Sequence, residues 1–210
     1  MIPVQEKPEP ADFSANVRLP GQAFLRRIPR PTKKQYGTQG ARFWVNARED
    51  LFRAYSGVCA YCAQFVLRKD MTVDHYVPKC ADPKLAYEWS NYRLSRKKLN
   101  NYKDNSPHVM DPFKIKFDWF AINFASFFVE PFPGLPGYLD THIKRTIDIL
   151  HLNDDDDLVQ ERSRVVVDYS INKYPMSHLE RLYPFIAYEL KRQGLEVDIK
   201  SMIRTSPRNP

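Results

Sequence analysis

The sequence has few cysteines and no long apolar run, and each absence excludes a class of protein. It contains three cysteines, an odd number, and it does not begin with a basic segment followed by an apolar one. Both features argue against a secreted protein held by disulfides, so we expect a cytoplasmic one. The longest apolar runs, such as residues 119–129, fall short of the roughly 20 residues of a membrane-spanning helix, and we expect no membrane partner.

A moderate excess of positive charge is the clearest feature of the composition. The 210 residues include 32 Lys and Arg against 25 Asp and Glu, which gives a net charge of +7 and a pI near 9.2. This excess favours polyanionic partners such as nucleic acids without identifying one. The apolar content of 43% is enough for one globular domain with an appendage.

Three regions of the chain differ in composition. Residues 1–37 carry six of the 17 prolines and a basic stretch at 24–34, which predicts an extended arm that either follows a phosphate backbone or is simply solvated. Residues 38–135 combine helix and strand patterns, starting with a helix at 38–56, and we interpret them as the core. Residues 136–210 predict a helical extension, with helices at 139–151, 155–173, 177–193 and 197–204.

The core region predicts an α+β fold with a shallow cleft. Residues 58–77 are rich in β-branched and aromatic residues and are interrupted at 68–70, which predicts two strands around a turn. A helix is predicted at 90–103, and the alternation at 117–131 predicts one or two further strands. The end of the second strand then faces the start of the helix. The cleft between them would be lined by Asp74, His75, Asn91 and Asn100.

These side chains suit the hydrolysis of a phosphodiester. Histidine titrates near neutrality, so His75 can act as a general base that takes a proton from water. Carboxylate and amide oxygens, as in Asp74, are ligands that Mg²⁺ accepts while keeping water and substrate phosphate. Neighbouring residues of a strand point to opposite faces, so Asp74 and His75 share a site only if the strand ends there, as Pro78 suggests.

Residues 57–113 resemble the HNH endonucleases with a ββα-metal fold. The segments that carry this resemblance are "CAYC", "VDHYVPK", "EWSNYRL", "LNNYK" and "MDPF", in the family's order and at matching separations. The resemblance implies that Asp74 and Asn100 are metal ligands, that His75 is the general base and that Asn91 orients this base. It also implies an α+β fold with a ββα-metal HNH core at 38–135, preceded by an N-terminal arm and helix.

The resemblance further implies an activity and its partners. We expect a metal-dependent endonuclease that uses Mg²⁺, Mn²⁺ or another divalent cation and acts on nucleic acid, foremost DNA. The segment "AYEWSNYRL" resembles compact HNH nucleases of bacterial anti-phage defence systems, which implies a regulatory ATPase partner and a homo-oligomer. A basic stretch beside the cleft is either a set of phosphate contacts or a solvated helix face; its residues are Arg96, Lys97, Lys98 and Lys103.

The sequence departs from the family at the cysteines. Cys59 and Cys62 match half of the family's structural zinc site, but Arg96 and Leu99 stand where the second pair of cysteines belongs. Structural zinc needs four ligands; Cys80 offers a third, and no fourth follows from the spacing unless His108 folds back. We therefore expect no zinc, and we expect the two thiols to pack in the core against Leu99.

Two other functional classes remain open on the sequence. A non-catalytic nucleic-acid-binding module would keep the fold and lack cleavage, although the presence of all four cleft residues argues against this reading. A structural subunit would use the basic arm and the helical extension to assemble a complex.

Overall fold

An antiparallel strand pair followed directly by a helix lies at the centre of the structure. In a computed structural model that describes residues 1–199, strand β1 (Met71–His75) pairs with β2 (Tyr92–Arg96), so that His75 lies opposite Tyr92. The helix of this unit, Lys97–Lys103, begins at the residue after β2 and contacts both strands. The end of β1 and the face of this helix therefore lie close together.

The partner of β1 differs from the predicted one. A hairpin within residues 58–77 was expected, but there Val58 and Phe65 form only an isolated bridge. Residues 92–96, which were predicted to be helical, form β2 instead, and four of these five residues are buried. A strand buried on both faces lacks the alternation of a half-buried strand, so its pattern does not distinguish it from a buried helix.

Part of the segment predicted to be an extended arm, residues 1–37, is helical, whereas residues 1–10 have no regular secondary structure. A π-helical turn at Ser14–Arg18 continues into α1 (Leu19–Arg27), and the one-turn helix α2 (Lys33–Tyr36) follows with Thr32 as its N-cap. Pro20 lies one residue after the junction between the π-helical turn and α1. Four apolar residues of this region are buried with the first sheet: Phe13, Val17, Phe24 and Tyr36.

The helix predicted at 38–56 is broken into shorter pieces. Two 3₁₀ turns, Gln39–Ala41 and Phe43–Ala47, precede a short α-helix, α3 (Arg48–Ala54). The next α-helix along the chain is the one that follows β2, α4 (Lys97–Lys103).

The C-terminal half confirms most of the predicted elements. Strands β3 (Phe120–Asn123) and β4 (Phe128–Pro131) form a second antiparallel pair. Four helices follow: α5 (Gly137–Ile149), α6 (Asp156–Ser170), α7 (Met176–Leu182) and α8 (Pro184–Arg192). The helix predicted at 177–193 is interrupted at Tyr183, directly before Pro184. The helix predicted at 197–204 lies mostly outside the described residues. Among residues 1–199, no helix has both the length and the apolar character needed to cross a bilayer.

Two apolar clusters hold the β1–β2–α4 unit. Val73 and Leu94 belong to the cluster built with the N-terminal helices, whereas Leu99 belongs to the cluster built with the C-terminal helices. These clusters cross the boundaries predicted at residues 37 and 135. The central unit is therefore fixed by burial on both sides, which gives its side chains defined positions.

Candidate active site

A cleft of about 620 Å³ opens where β1 ends. It is bounded by the N-terminal segments, the end of β1, the loop after it and the helix α4. Its lining includes the functional side chains of Lys33, Arg42, Trp44, Asp74, His75, Lys79 and Asn100, together with those of Tyr36, Cys80, Asn101, Asp104 and Asn105. The structure thus brings Asp74 and His75, from β1, and Asn100, from α4, to one cleft.

The position of His75 at the last residue of β1 explains how it shares the cleft with Asp74. Alternation along a strand would send the two side chains to opposite faces, but the regular ladder stops here. Asn100 reaches the same cleft from α4, and its side chain forms no hydrogen bond with any residue in 1–199. Asn91 lies elsewhere, at the end of the 3₁₀ turn Trp89–Asn91.

Two hydrogen bonds fix the tautomer of His75. Its Nε2 lies 2.9 Å from the carbonyl oxygen of Ala86, which can only accept, so Nε2 carries the proton. Its Nδ1 lies 3.3 Å from Nζ of Lys79, and because an ammonium can only donate, Nδ1 presents its lone pair. The ring also packs edge-on against Trp44 and Tyr92. His75 is therefore a neutral imidazole whose Nδ1 is the basic atom.

The environment keeps His75 uncharged. Burial lowers the pKa of His75 well below its ordinary value of 6.5, and the positive charges of Lys79 and Lys103 lower it further. The hydrogen bond to Ala86 opposes this change only in part. At neutral pH the imidazole is therefore uncharged.

The lowered pKa of His75 predicts a loss of stability in mild acid. The unfolded chain takes up a proton near pH 6.5 and the folded chain only at lower pH, so the free energy of unfolding falls as pH drops below about 6.5, by at most ~1.4 kcal/mol per pH unit. Urea unfolding between pH 7.5 and 5 should show a shallower decline in His75→Gln than in the wild type. His142→Gln, at an exposed position of α5, should decline like the wild type. Equal slopes in all three proteins would contradict this environment for His75.

Asn91 fixes the loop that carries the residues around His75. Its Oδ1 accepts from the amide of Val77 at 2.8 Å, and its Nδ2 donates to the carbonyls of Val77 and Leu85 at 3.0 and 3.1 Å. Its own carbonyl accepts from the amide of Tyr76. Leu85 directly precedes Ala86, so Asn91 ties both the chain after His75 and the segment that holds its Nε2. This buried amide is suited to positioning and does not line the cleft.

Asp74 is paired with a buried lysine. Its Oδ1 lies 3.1 Å from Nζ of Lys103, and its Oδ2 accepts from the hydroxyl of Tyr61. Lys103 also donates to the carbonyl of His75 at 2.9 Å, and its side chain is fully buried. Each carboxylate oxygen of Asp74 keeps a second lone pair, which leaves capacity for a further ligand.

Asp74 and Asn100 fit the minimum that Mg²⁺ requires from a protein. One carboxylate and one amide oxygen at the same cleft leave the remaining positions of an octahedron to water and phosphate. Across residues 1–199, no group of three or more His, Cys, Asp or Glu is gathered to hold a metal ion. A divalent cation would therefore be held with few protein ligands, beside the charge of Lys103.

The predicted phosphate contacts, Arg96 at the end of β2 and three lysines on α4, are largely engaged with the protein itself. Arg96 pairs with Glu161, Lys98 pairs with Asp155, and Lys103 pairs with Asp74. Lys97 donates to the carbonyl of Lys69 and has no carboxylate partner in the described chain. These pairs attach β2 and α4 to the start of α6, and α4 to β1, so the charge pattern of this segment reflects internal contacts.

Other cations line the cleft, and the sequence reading did not assign them to it. Lys33 comes from α2 and forms a long, exposed pair with Asp104, while Arg42 forms no ion pair with any described residue. Lys79 follows Pro78 in the loop after β1. Only the fold of the N-terminal segment onto β1 brings these three charges together, so no local pattern identifies them.

Cys59 and Cys62 are buried in the apolar cluster that contains Leu99, as expected. Burial alone would raise the pKa of the Cys59 thiol, but the hydrogen bond from Cys62 and the charge of Arg96 lower it overall. Cys80 is exposed at the cleft and donates to Asn105. The described residues bring no third or fourth zinc ligand to the pair.

Comparison with models of known protein families gave no match, and neither did comparison with curated proteins. The functional assignment therefore depends on the residues of the cleft and their geometry.

Proposed function

We propose that this protein is a metal-dependent endonuclease of the HNH type, with a ββα-metal core, that hydrolyses phosphodiester bonds in DNA. The supporting observation is the cleft in which Asp74, His75 and Asn100 meet at the end of an antiparallel pair followed by a helix. The resemblance of residues 57–113 to that family supports the same assignment.

His75 is the general base in this proposal. Its Nδ1 takes a proton from a water molecule whose oxygen forms a bond to phosphorus, while the bond from phosphorus to one deoxyribose oxygen breaks. The leaving oxygen takes a proton from solvent. The hydrogen bond from Nε2 to Ala86 holds the ring in the tautomer that this step needs.

Asp74 and Asn100 are the residues that would hold Mg²⁺ or Mn²⁺. Such an ion, when bound, neutralises charge on the phosphate and the leaving oxygen. The cations Lys33 and Arg42 bind flanking phosphates of the nucleic acid, since both line the cleft with their charges accessible. The binding of DNA should therefore weaken with salt.

A cleavage assay tests the proposed activity. The purified chain is incubated with supercoiled plasmid, linear duplex, single-stranded DNA and RNA, in Mg²⁺, Mn²⁺ or EDTA. We expect cleavage of DNA with either metal, none in EDTA, a severe loss in His75→Ala and no loss in the exposed control His142→Ala. Absence of cleavage of every substrate, also with added host extract, would refute the activity.

A non-catalytic nucleic-acid-binding role is the second candidate. It is favoured by one observation: the proposed metal ligand and the proposed base each contact a lysine, Asp74 through Lys103 and His75 through Lys79. Fluorescence anisotropy with labelled duplex separates the two candidates, since this role predicts tight binding and an intact duplex in every metal.

The resemblance to anti-phage defence nucleases supports a further proposal about partners. We propose that the chain acts with a regulatory ATPase and forms a homo-oligomer, because an unregulated nuclease would damage its host. Native co-purification with identification of bound proteins tests this, and recovery of a lone monomer would contradict it.

Replacing Asn91 tests the positioning of the base. Asn91→Ala leaves the part-buried amide and carbonyl of Val77 without partners and removes one of the two donors to the carbonyl of Leu85, which should cost ~1–3 kcal/mol of unfolding free energy and lower kcat more than it raises KM. Asn153 offers a matched control, since it makes a similar pair of hydrogen bonds to Val129 on β4. Asn153→Ala should lose stability and keep kcat. An equal fall of kcat in both variants would show that stability alone explains the effect.

A further inference from the structure

Lys79 is a partly buried cation whose partner is not a carboxylate. Lys98 and Lys103 are each paired with a carboxylate, whereas Lys79 forms no ion pair with any carboxylate of residues 1–199. Its Nζ lies 3.3 Å from Nδ1 of His75 and 4.7 Å from the centre of the Trp44 ring. An ammonium has three donor hydrogens, and here one goes to a neutral nitrogen while an aromatic face attracts the charge.

This contact blocks the basic atom of His75. A nitrogen lone pair accepts one hydrogen bond along its axis, so Nδ1 cannot take a proton from water while it accepts from Lys79. Nε2 offers no alternative, because its proton is committed to Ala86. Catalysis by His75 therefore requires that Lys79 first leave the imidazole.

A phosphate is the ligand that would draw Lys79 away. A hydrogen bond between an ammonium and an anionic oxygen is roughly twice as strong as one to a neutral acceptor. The backbone of Lys79 is held by the hydroxyl of Tyr36, which donates to its carbonyl, while the flexible side chain faces the cleft. The ammonium can therefore exchange partners without a change of the loop.

We propose that Lys79 binds the phosphate to be cleaved, and that its transfer from Nδ1 of His75 to a phosphate oxygen releases the base only when substrate is present. This inference rests on the proposed endonuclease function and deepens it. Lys79 is then a catalytic residue, since it touches the reacting group, whereas Lys33 and Arg42 contact flanking phosphates.

Single-turnover cleavage of a short duplex tests the role of Lys79 in the reaction. The Lys79→Met variant lacks one donor to the reacting phosphate, so it should cleave about 10²-fold more slowly than the wild type. Lys79→Arg keeps the charge and should recover part of the rate. Lys114→Met, at an exposed position outside the cleft, is the matched control and should cleave like the wild type. If Lys79→Met cleaves at the wild-type rate, the inference is overturned and the proposed function stands. If the wild type cleaves nothing, both fail.

A ¹⁵N spectrum of His75 tests the transfer of the ammonium without any cleavage. In EDTA, addition of the duplex to the wild type should shift the Nδ1 resonance toward the position expected for an Nδ1 that accepts no hydrogen bond from Lys79. The free Lys79→Met variant should already show this shifted resonance, and the duplex should change it little. The proposed release of His75 would be wrong if the duplex binds the wild type, as measured by anisotropy, and the Nδ1 resonance does not change.

Discussion

His75→Gln is expected to slow DNA cleavage by roughly 10²- to 10⁴-fold, the usual contribution of a general base. Glutamine can still donate to the carbonyl of Ala86, which replaces the contact of Nε2, but it offers no basic nitrogen at the position of Nδ1. The loss should therefore appear in the chemical step. Single-turnover rate constants, measured at saturating protein, report this step without a contribution from binding.

The control for this prediction is an exposed histidine of the same chain. His142→Gln on α5 should cleave at the wild-type rate, and duplex affinity should be similar in both variants. A His75→Gln variant that is folded and cleaves within threefold of the wild type would remove His75 from the mechanism.

Lys103→Met is expected to lower the free energy of unfolding by about 3–5 kcal/mol, because it leaves a buried carboxylate without its cation. The side chains of Asp74 and Lys103 are almost completely excluded from solvent, and their Oδ1 and Nζ atoms are 3.1 Å apart. Lys103 also holds the carbonyl of His75, so the variant loosens the end of β1. Urea unfolding monitored by tryptophan fluorescence measures the loss.

A divalent cation should recover part of that loss. Removal of the ammonium leaves Asp74 as an unopposed anion beside Asn100, so Mn²⁺ should raise the melting temperature of Lys103→Met more than that of the wild type. The double variant Lys103→Met with Asp74→Asn, which lacks both charges, should be more stable than the single variant and insensitive to Mn²⁺. Equal responses to Mn²⁺ in all three proteins would contradict a cation site at Asp74.

Two lysines place positive charge next to the functional groups of the cleft. Lys103 neutralises the carboxylate of Asp74, and Lys79 donates to the lone pair of His75. In the free site, each functional group is therefore occupied by an ammonium, at the places where a metal and a phosphate would bind. Such a site is expected to bind a metal weakly by itself and more tightly with the substrate phosphate, since phosphate supplies the missing negative charge.

The residues of the site could be predicted from sequence where the signal is local. Asp74 and His75 are adjacent, and Pro78 marks the end of their strand, so a short segment contains the information. The C-terminal helices were predicted for the same reason, because their apolar stripes repeat over many residues. The pairing of β1 with β2 was not, since a buried strand such as Tyr92–Arg96 has no period-two pattern.

Other features depend on contacts between distant segments and left no local signal. Lys103 looks like one more cation on a basic helix, and only the packing of α4 against β1 buries it on Asp74. Lys79 acquires its position from Trp44 and from the N-terminal segment that folds over the cleft. The prolines at the start of the chain predict an extended segment, whereas residues 14–27 are helical and bury Val17 and Phe24 against the first sheet.

The central claim is that His75 and Asp74 act together on one phosphodiester. The most direct test is single-turnover cleavage in Mg²⁺ by the wild type, His75→Gln, Asp74→Asn and the double variant, since residues that act as a unit have strongly non-additive effects. Our account predicts wild-type cleavage, a severe loss in each single variant and little further loss in the double variant. Losses that multiply in the double variant, or a single variant that cleaves like the wild type, would contradict it.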